Sequence, residues 1–384
     1  MQDSDGHNDP QEMRNEARLI VISANSSWNI VNFRGALIRS LRNNGYEIVV
    51  AAPRDEHSVR LADLGASFIE VKMDSAGSSV AEDLRLLWVY LKLFRRLRPS
   101  AYLGFTVKPN VYGSLAARAV GAKVINNISG LGTAFIKQGF LTTLVAQLYR
   151  FSFRNSSTVF FQNADDMKLF VDKGLVRQEQ ADLLPGSGVD LERFKPRQSG
   201  RALGPFQFLF VGRLLWDKGV GEYVEAARLV RKTHAEVCFQ LLGPIGSINR
   251  TAVPSSDVER WKTEGLIEYL GESDDVRGTM EQADCIVLPS YREGLPRALL
   301  EGSAIGKPLI ATDVPGCRDV IVHGKTGYLC AARSADSLAD AMVKMLETPS
   351  AERLEMGRRG RQKVEDEFCE TLVIAKYLEA LGDR

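Results

Sequence analysis

The chain has 384 residues, of which 45% are hydrophobic, and its formal net charge is +1 at pH 7. This length is too great for one compact core and predicts a globular protein of two domains. The near-zero net charge argues against a protein that binds nucleic acid or another polyanion through its overall field.

Cysteine usage and the N-terminus indicate the compartment. The five cysteines are odd in number and include no Cys-x-x-Cys pair, which favours a reducing compartment and argues against a structural zinc site. No run of 18 apolar residues predicts a transmembrane helix, and the polar, acidic start of the chain differs from a signal peptide. We expect residues 1–16 to form a disordered tail.

Strands and helices are predicted to alternate from residue 18 onward, which is typical of α/β domains built on parallel sheets. In the first half, strands are expected at 19–23, 48–52, 68–71, 101–105, 123–126 and 158–161. Helices are expected to begin near residues 33, 56, 81, 110, 141 and 164. Gly45, Gly65 and Gly121 stand at expected helix C-termini, where a left-handed backbone favours glycine.

The segment 184–196 and the loose stretch that follows it form the best candidate for a domain boundary, because glycine and proline interrupt both. We therefore predict a first domain at 17–196, a second at 197–366, and a C-terminal helix within 367–384 that crosses back to the first. Strands of the second half are expected at 208–211, 237–241, 267–270, 285–288, 308–312 and 327–329. Its last helices are expected at 335–347, 351–364 and 370–381.

Two glutamates eight positions apart bound the segment 293–301, EGLPRALLE. Glu293 follows the predicted strand 285–288, and Glu301 lies about two turns into the next predicted helix. Open α/β sheets bind ligands past the carboxyl ends of their strands, and the amides of Gly294 and Leu295 precede a helix N-terminus, which suits a phosphate. The carboxylate of Glu301 can reach a ribose diol. Taken by itself the pair is a weak signal, because 48 acidic residues give such spacings by chance.

A second motif, GRLLWDKG at 212–219, follows the predicted strand 208–211. Arg213 and Lys218 place a guanidinium and an ammonium on one loop, an arrangement that suits a diphosphate. The alternative is an ordinary Rossmann-like loop with solvated charges.

These motifs resemble those of the retaining glycosyltransferases of family 4, which use nucleotide-diphosphate sugars. The family's Gly-Arg-Leu-x-x-x-Lys-Gly and Glu-x7-Glu motifs match 212–219 and 293–301, and GKPLIATDVPG at 306–316 is also similar. The resemblance implies the GT-B fold, in which two facing Rossmann-like domains with parallel sheets enclose the active site in a cleft.

The same resemblance implies roles for individual residues. Arg213 and Lys218 would hold the nucleotide phosphates, Glu301 the ribose and Glu293 the donor sugar, with Glu293, Arg213 and Lys218 acting in catalysis. Further donor contacts would come from the loop at Gly294 and Leu295. In family members the base is covered by the segment that corresponds to Gly271 and Ser273.

The resemblance implies that the anomeric configuration is retained and that the donor's own diphosphate assists the departure. Arg213 and Lys218 would neutralise charge on the leaving group. No histidine falls in a chemical motif, so we assign no general base. No Asp-x-Asp motif stands at a fitting place, and Asp165 and Asp166 begin a predicted helix, where carboxylates favour the dipole. We therefore expect neither a required metal ion nor a cofactor besides the sugar donor.

The first half narrows the resemblance to a subgroup. Many family members carry Gly-Gly in the first loop, whereas this chain has NFRG at 32–35. That difference, with TVKPNVYG at 106–113 and ISGLGTAF at 128–135, is similar to enzymes that extend saccharides on undecaprenyl diphosphate for surface glycans. Arg34 and Lys108 are candidates for phosphate contacts, with ordinary surface cations as the alternative. The other substrate candidates are Asn32, Asn110, Gly130 and Gly132.

Two segments bear on membrane contact. At about 100° per residue, 141–154 is amphipathic and can lie in a headgroup layer, although burial in the core is equally open. Its polar arc consists of Thr143, Gln147, Arg150 and Arg154. The segment 84–98 is apolar over most of its circumference and has five cations, and we expect it to be buried between the sheet and its neighbours.

The sequence thus predicts a cytoplasmic glycosyltransferase, held peripherally at the inner face of the cytoplasmic membrane. It would move a hexose or N-acetylhexosamine from a nucleotide-diphosphate sugar, with UDP the favoured nucleotide, to a polyprenyl-diphosphate-linked saccharide of a bacterial surface glycan. Three alternatives stay open: the same transfer to a soluble acceptor, a UDP-sugar epimerase of the same fold, and a non-catalytic module that binds nucleotide sugars.

Overall fold

A computed structural model describes residues 18–74, 79–130, 140–196, 204–246 and 249–382. The predicted tail at 1–16 and the substrate candidate Gly132 lie outside these residues. The described strands form two sheets with helices between successive strands, the arrangement expected of two α/β domains.

The first sheet has seven strands. They are β1 (Arg18–Ser23), β2 (Tyr46–Ala52), β3 (Ser67–Glu70), β4 (Ala101–Phe105), β5 (Lys123–Ile128), β6 (Thr158–Phe161) and β7 (Ala181–Leu183). Their order is β3-β2-β1-β4-β5-β6-β7, and the pairs among β1 to β5 are parallel. The helices of this part are α1 (Ser27–Asn43), α2 (Val80–Leu97), α3 (Ser114–Ala119), α4 (Phe140–Phe153) and α5 (Ala164–Asp172).

The second sheet has six strands, all of them parallel. They are β8 (Gln207–Val211), β9 (Cys238–Leu242), β10 (Glu268–Tyr269), β11 (Cys285–Leu288), β12 (Leu309–Thr312) and β13 (Gly327–Cys330), in the order β10-β9-β8-β11-β12-β13. The helices are α6 (Val220–Val230), α7 (Ser255–Thr263), α8 (Arg277–Gln282), α9 (Arg297–Ala304), α10 (Cys317–Val320), α11 (Ala335–Glu347), α12 (Ser350–Glu367) and α13 (Glu370–Leu381).

Each sheet reverses its strand order once, between β1 and β4 in the first and between β8 and β11 in the second. At such a point the loops that leave two neighbouring strands diverge to opposite faces, and the crevice between them is where open α/β sheets bind ligands. Every residue of β4 and β11 is buried, as expected for central strands that are covered on both faces.

Internal contacts divide the described residues into two compact units. The first extends to Asn127 and also takes in Ala146–Val159 and the chain after Ala380, while the second contains the remainder, including Phe160–Glu379. The second unit therefore includes β7 and α5. In it, Tyr377 of α13 packs on Phe160 of β6 with 5.1 Å between ring centroids.

Most predicted elements are confirmed, and their boundaries differ for identifiable reasons. Strands 101–105, 158–161 and 285–288 match residue for residue. By contrast, α1 begins at Ser27 rather than near 33, because the Ser26 side chain caps the helix by accepting a hydrogen bond from the Asn29 amide. Gly45, Gly65 and Gly121 have φ of 81°, 76° and 77°, as their predicted positions after helices require.

The expectation that the 84–98 segment is buried between the sheet and its neighbours is wrong for one of its two faces. One face of α2 is buried through Leu86, Tyr90, Leu93 and Phe94, whereas the opposite face is open to solvent. Leu84 and Trp88 on that open face are each 62% exposed. The sequence shows that the helix is apolar but not that only one side of it is covered by neighbours.

The segment around α4 has a mixed environment. Its Tyr149 and Phe153 are buried, whereas Gln147, Phe151 and Arg154 are exposed.

No helix among the described residues is both long enough and apolar enough to cross a bilayer. The five cysteines all lie in the described residues, and none of them forms a disulfide there.

Candidate functional site

The loop after β8 approaches the loop after β11 closely because of a glycine. Gly219 has a φ of 75°, and a Cβ at this position would overlap the carbonyl oxygen of Pro289. A larger residue would therefore push the two loops apart. Lys218, immediately before this glycine, is thereby held beside the loop that carries Glu293.

Lys218 and Glu293 form an ion pair at this point of the second sheet. Lys218 Nζ lies 2.5 Å from Glu293 Oε1, and Ser290 Oγ donates a hydrogen bond of 2.6 Å to the same oxygen. The Glu293 side chain is only 11% exposed and so is largely shielded from bulk water, whereas Lys218 is 24% exposed. The sequence predicted separate roles for these two residues, and the structure places them in direct contact.

Arg213 differs from Lys218 in its surroundings. It lies in the loop two residues after β8, is exposed, and has no carboxylate partner among the described residues. A guanidinium in this position keeps all its donors available for an incoming anion. The two predicted phosphate ligands are thus one exposed cation and one cation already engaged by Glu293.

The loop after Glu293 is packed too tightly for side chains. A Cβ on Gly294 would overlap the carbonyl oxygen of Ser129, and one on Gly316 would overlap the carbonyl of Gly294. Gly130, predicted on the acceptor side, lies against this loop, since a Cβ there would stand 3.1 Å from the Gly294 nitrogen. Leu295 is buried in the core of the second sheet. Any ligand contact by Gly294 or Leu295 is therefore a backbone contact.

Glu301 lies on α9 and is nearly enclosed. Burial raises the pKa of its carboxyl group, while the guanidinium of Arg297, 2.8 Å away one turn earlier, opposes that rise. Desolvation is the larger of the two effects, so the carboxylate is under-compensated. A ligand that donates hydrogen bonds to Glu301 would stabilise its charged form.

Gly271 and Ser273 lie on the loop after β10. The Gly271 carbonyl accepts a hydrogen bond of 2.8 Å from the Gly243 amide, which ties this loop to the one after β9. Gly271 has a φ of 81°, and the exposed Ser273 hydroxyl closes a local turn with the backbone of Asp275. The half-buried Gly271 and the exposed Ser273 thus form an edge next to the carboxyl ends of β9 and β10.

Two predicted substrate residues on the first sheet are engaged by ionic or aromatic partners. The guanidinium of Arg34 is buried and stacks on Phe105 at 4.3 Å. Lys108 forms an ion pair of 2.9 Å with Asp83 of α2. Neither is an ordinary solvated surface cation, which was the alternative from sequence.

The two predicted asparagines are hydrogen-bonded within the protein. Asn110 is buried, donates from Nδ2 to the carbonyl of Asn127 and accepts at Oδ1 from Asn126, each at 2.9 Å. Asn32 donates to the carbonyl of Trp28 at 3.0 Å. The amide of Asn110 thus connects the loop after β4 to β5, and its role in substrate binding stays a prediction.

Sequence reasoning missed three residues that fix the Glu293 loop, which we call the α5 brace: Asn163, Asp166 and Arg292. Asn163 Nδ2 donates to the carbonyl of Gly294 at 2.9 Å and to that of Glu293 at 3.3 Å. Asp166 is buried and pairs through Oδ1 with Nη2 of Arg292. Burial raises the pKa of Asp166, against the opposing effect of Arg292. A buried, under-compensated carboxylate costs stability, which indicates that the contact serves to position the loop.

The available sequence signal pointed only to a local role. Asn163 caps α5 by accepting from the Asp166 amide at 2.8 Å, and carboxylates in a first helical turn are ordinary. The partner of Asp166 lies 126 positions away along the chain. No spacing rule connects residues at that separation.

We expect Asp166 and Arg292 to show strong energetic coupling. In a cycle of Asp166→Ala, Arg292→Ala and the double variant, denaturant unfolding should give a coupling energy of about 1–3 kcal/mol, because one partner is buried. The exposed pair Lys168 and Asp172 on the same helix is the matched control, with about 0.3–0.5 kcal/mol expected. Turnover should fall in both single variants of the brace and not in the control. Additive effects at Asp166 and Arg292 would show that the brace is not a unit.

No group of three or more His, Cys, Asp or Glu side chains that could hold a metal ion occurs in the part of the chain that the structure describes.

Comparisons with known proteins identify the family of each half of the chain. A family model described as "Glycosyl transferase 4-like" matches residues 20–163, and one described as "Glycosyl transferases group 1" matches residues 192–363. The second match contains both the Arg213–Lys218 loop and the Glu293–Glu301 segment. Both families are glycosyltransferases, which leaves the epimerase and the non-catalytic module without support.

Two curated relatives act on lipid-linked sugars, as their names state. The chain is 27% identical over 375 residues to N,N'-diacetylbacillosaminyl-diphospho-undecaprenol alpha-1,3-N-acetylgalactosaminyltransferase of Campylobacter jejuni, covering 93% of this chain and 96% of the relative. It is 24% identical to UDP-Gal:alpha-D-GlcNAc-diphosphoundecaprenol alpha-1,3-galactosyltransferase of Escherichia coli, covering 70% and 71% of the two chains.

Solved structures confirm the fold. HepE of Anabaena in complex with UDP and glucose superposes with a TM-score of 0.79 at 16% identity, covering 95% of this chain and 99% of that one. Two α/β domains built on parallel sheets, each sheet with its own switch point, are the architecture of GT-B enzymes. The chain belongs to the group 1, family 4-like glycosyltransferases and has the GT-B fold.

Proposed function

We propose that the protein is a retaining glycosyltransferase that moves a hexose or N-acetylhexosamine from a UDP-sugar to a saccharide linked to polyprenyl diphosphate. The observation that carries the donor half is the contact between Lys218 and Glu293, which joins the loops after β8 and β11 at the switch point, with the exposed Arg213 on the same loop as Lys218. The names of the two relatives support the acceptor half, since each name specifies a sugar linked to undecaprenol through a diphosphate. Because the proposed acceptor is lipid-linked, we further propose that the enzyme acts at the inner face of a bacterial cytoplasmic membrane.

The Lys218–Glu293 pair suggests how donor binding prepares the site. An incoming diphosphate offers Lys218 a doubly charged partner and draws its ammonium from Glu293, while Arg213 binds the same phosphates. Glu293 then keeps its hydrogen bond from Ser290 and turns its released oxygen to a hydroxyl of the donor sugar. One ion pair thus holds both groups in place until the donor arrives.

We propose the following chemical step at this site. The bond from the anomeric carbon to the diphosphate oxygen breaks, and the acceptor hydroxyl forms its bond on the same face of the sugar. The hydroxyl proton passes to the departing phosphate oxygen, so no protein base is required. Arg213 and Lys218 stabilise the charge that develops on that oxygen. Glu301 binds the ribose, and the backbone at Gly271 and Ser273 covers the base.

A thermal-shift screen of nucleotides and nucleotide sugars tests the donor assignment. A ligand that binds only the folded protein stabilises it by about 2.7 kcal/mol at a concentration of one hundred times Kd. We expect UDP and at least one UDP-sugar to raise Tm, and Arg213→Ala to lose the shift. A preference for ADP or GDP would contradict the choice of UDP, and no shift with any nucleotide would contradict the donor site.

Chelation tests the proposal that charge on the diphosphate is neutralised by side chains and backbone amides alone. Treatment with EDTA should leave transfer activity unchanged, because Arg213 and Lys218 supply the positive charge that a divalent ion provides in metal-dependent enzymes. Activity that disappears with EDTA and returns with Mg²⁺ or Mn²⁺ would show that this part of the mechanism is wrong.

A further inference from the structure

We infer that the solvent-facing side of α2 is a docking surface for an anionic lipid bilayer. This inference rests on the proposed function only in that the acceptor is lipid-linked; the surface itself is defined by exposed residues of α2. We call it the α2 face. It consists of Val80, Leu84, Arg85, Trp88, Lys92, Arg95 and Arg96.

The apolar part of the α2 face is a continuous stripe. Val80, Leu84 and Trp88 follow each other at intervals of four residues and are 71%, 62% and 62% exposed. Side chains at this spacing lie above one another on a helix. Large apolar residues scattered singly on a surface need no explanation, but three in a row on one face indicate a contact surface.

The cations of the α2 face adjoin this stripe: Lys92 and Arg96 continue its spacing of four residues toward the end of the helix, and Arg85 and Arg95 lie beside it. Arg85, Lys92, Arg95 and Arg96 are exposed, and none of them has an ion-pair partner among the described residues. Lys92 Nζ lies 5.5 Å from the centroid of the Trp88 ring. At about 100° per residue all four fall on the same half of the helix as Leu84 and Trp88, and the buried residues fall on the other half.

The acidic residues of α2 do not neutralise the face. Asp83 is engaged by Lys108 at 2.9 Å, and Glu82 in the first turn is near only Arg85, while Lys92, Arg95 and Arg96 lie in the last two turns. The face therefore presents a local excess of positive charge on a chain whose overall charge is only +1. This asymmetry complements an anionic surface.

A neighbouring element extends the same chemistry. Helix α2 packs on α3, whose Arg118 lies 5.5 Å from the ring centroid of Phe151 on α4, and Phe151 is itself exposed. Another cation beside an exposed aromatic ring thus belongs to the same group of packed helices.

The apolar side chains and cations of the α2 face together suit lipid headgroups better than they suit a groove on another protein. Tryptophan is favoured at the membrane interface because its ring is apolar and its N–H is polar, and arginine and lysine reach phosphates from the same depth. A helix lies in the plane of the membrane interface when it has an apolar stripe with cations beside it and cannot span the bilayer. The 18 residues of α2 give about 27 Å of such a surface.

Sedimentation of the full-length protein with vesicles tests the inference. Wild type should sediment with vesicles that contain phosphatidylglycerol and not with pure phosphatidylcholine, and salt should weaken the binding. Changing Arg85, Lys92, Arg95 and Arg96 to Gln should lower the partition coefficient about fivefold per cation, since each basic group near an anionic membrane contributes about 1 kcal/mol. Leu84→Ser with Trp88→Ser should lower it at least about tenfold through lost apolar burial.

A matched control lies on α12. Leu354 is 71% exposed, and the nearby Arg358 and Arg359 are both paired with Glu355. Leu354→Ser with Arg358→Gln and Arg359→Gln therefore removes similar chemistry from an exposed helix whose cations have local partners. This variant should bind vesicles as wild type does. All changes are at exposed positions, and circular dichroism verifies that each variant is folded.

Fluorescence gives a second, local readout. Vesicles should shift the emission of wild type to the blue, because Trp88 leaves water for the interface, and Trp88→Phe should remove most of that shift while keeping most of the binding. Trp28, which is 43% exposed on α1, should not contribute. A shift that survives Trp88→Phe would assign the contact to another surface.

Three further outcomes would overturn the inference. The first is failure of wild type to bind anionic vesicles, and the second is equal binding by the α2 variants and wild type. The third is a concentration-dependent dimer that Leu84→Ser with Trp88→Ser abolishes, because such a dimer would make the α2 face a contact between two copies of the chain. Transfer to a water-soluble diphosphate-linked saccharide separates this inference from the proposed function. The α2 variants should keep that activity and lose transfer to a vesicle-embedded acceptor. Absence of both activities in wild type that still binds vesicles would contradict only the proposed function.

Discussion

Replacing Arg213 or Lys218 with alanine is expected to lower turnover by about 30- to 1,000-fold. The reason is that each cation loses a contact that is strongest as the leaving group departs, and such contacts contribute about 2–4 kcal/mol to transition-state stabilisation. Steady-state kinetics with the best UDP-sugar from the screen measures the loss. Neither change should unfold the protein, because Arg213 is exposed and Glu293 keeps its hydrogen bond from Ser290 when Lys218 is removed.

The two variants should differ in one respect. Lys218→Ala also releases the Glu293 carboxylate, whereas Arg213→Ala leaves the Lys218–Glu293 pair in place. The matched control is Lys262→Ala on α7, which removes a cation paired only within its own helix and should keep full activity. If either site variant retained more than about a tenth of wild-type turnover, the assignment of that residue to the leaving group would be wrong.

The two glutamates should separate into a transfer residue and a binding residue. Glu293→Gln should lower turnover strongly and leave UDP affinity nearly unchanged, because its carboxylate contacts the sugar and not the nucleotide. Glu301→Ala should weaken UDP and the UDP-sugar alike, since it removes the ribose contact from both. Calorimetric titration with UDP, paired with transfer kinetics, measures the two effects independently.

A conservative change at the same position refines this result. Ser290→Ala removes the hydrogen bond that holds Glu293 while leaving the carboxylate itself, so its effect on turnover should be smaller than that of Glu293→Gln. Equal loss of UDP affinity in Glu293→Gln and Glu301→Ala would show that the roles are divided incorrectly.

Local patterns predicted the elements that position the donor site. Strand β11 is a continuous apolar run followed directly by Pro289, and such a run is typical of a fully buried strand in a parallel sheet. The loop motifs at Arg213 and Glu293 then follow their strands without intervening structure. By contrast, β7 has only three residues, two of them partly exposed, so neither its length nor its burial gave a signal.

Features that depend on distant neighbours were not predictable in the same way. The brace joins Asp166 to Arg292, and a sequence read alone shows each as an ordinary charged residue at a helix start or in a loop. The open side of α2 was missed for a related reason, since the apolar character of Leu84 and Trp88 indicates burial unless the coverage of the helix is known. The contact between Lys218 and Glu293 required both switch-point loops in three dimensions.

The central claim is that the protein transfers a sugar from a UDP-sugar to a diphosphate-linked saccharide with retention. NMR of the product formed from an α-configured UDP-sugar and such an acceptor tests it most directly, because one spectrum reports both the new glycosidic bond and its anomeric configuration. We predict an α-linked product with wild type and with Lys262→Ala, and none with Arg213→Ala. A β-linked product, or a donor converted without transfer, would contradict the account.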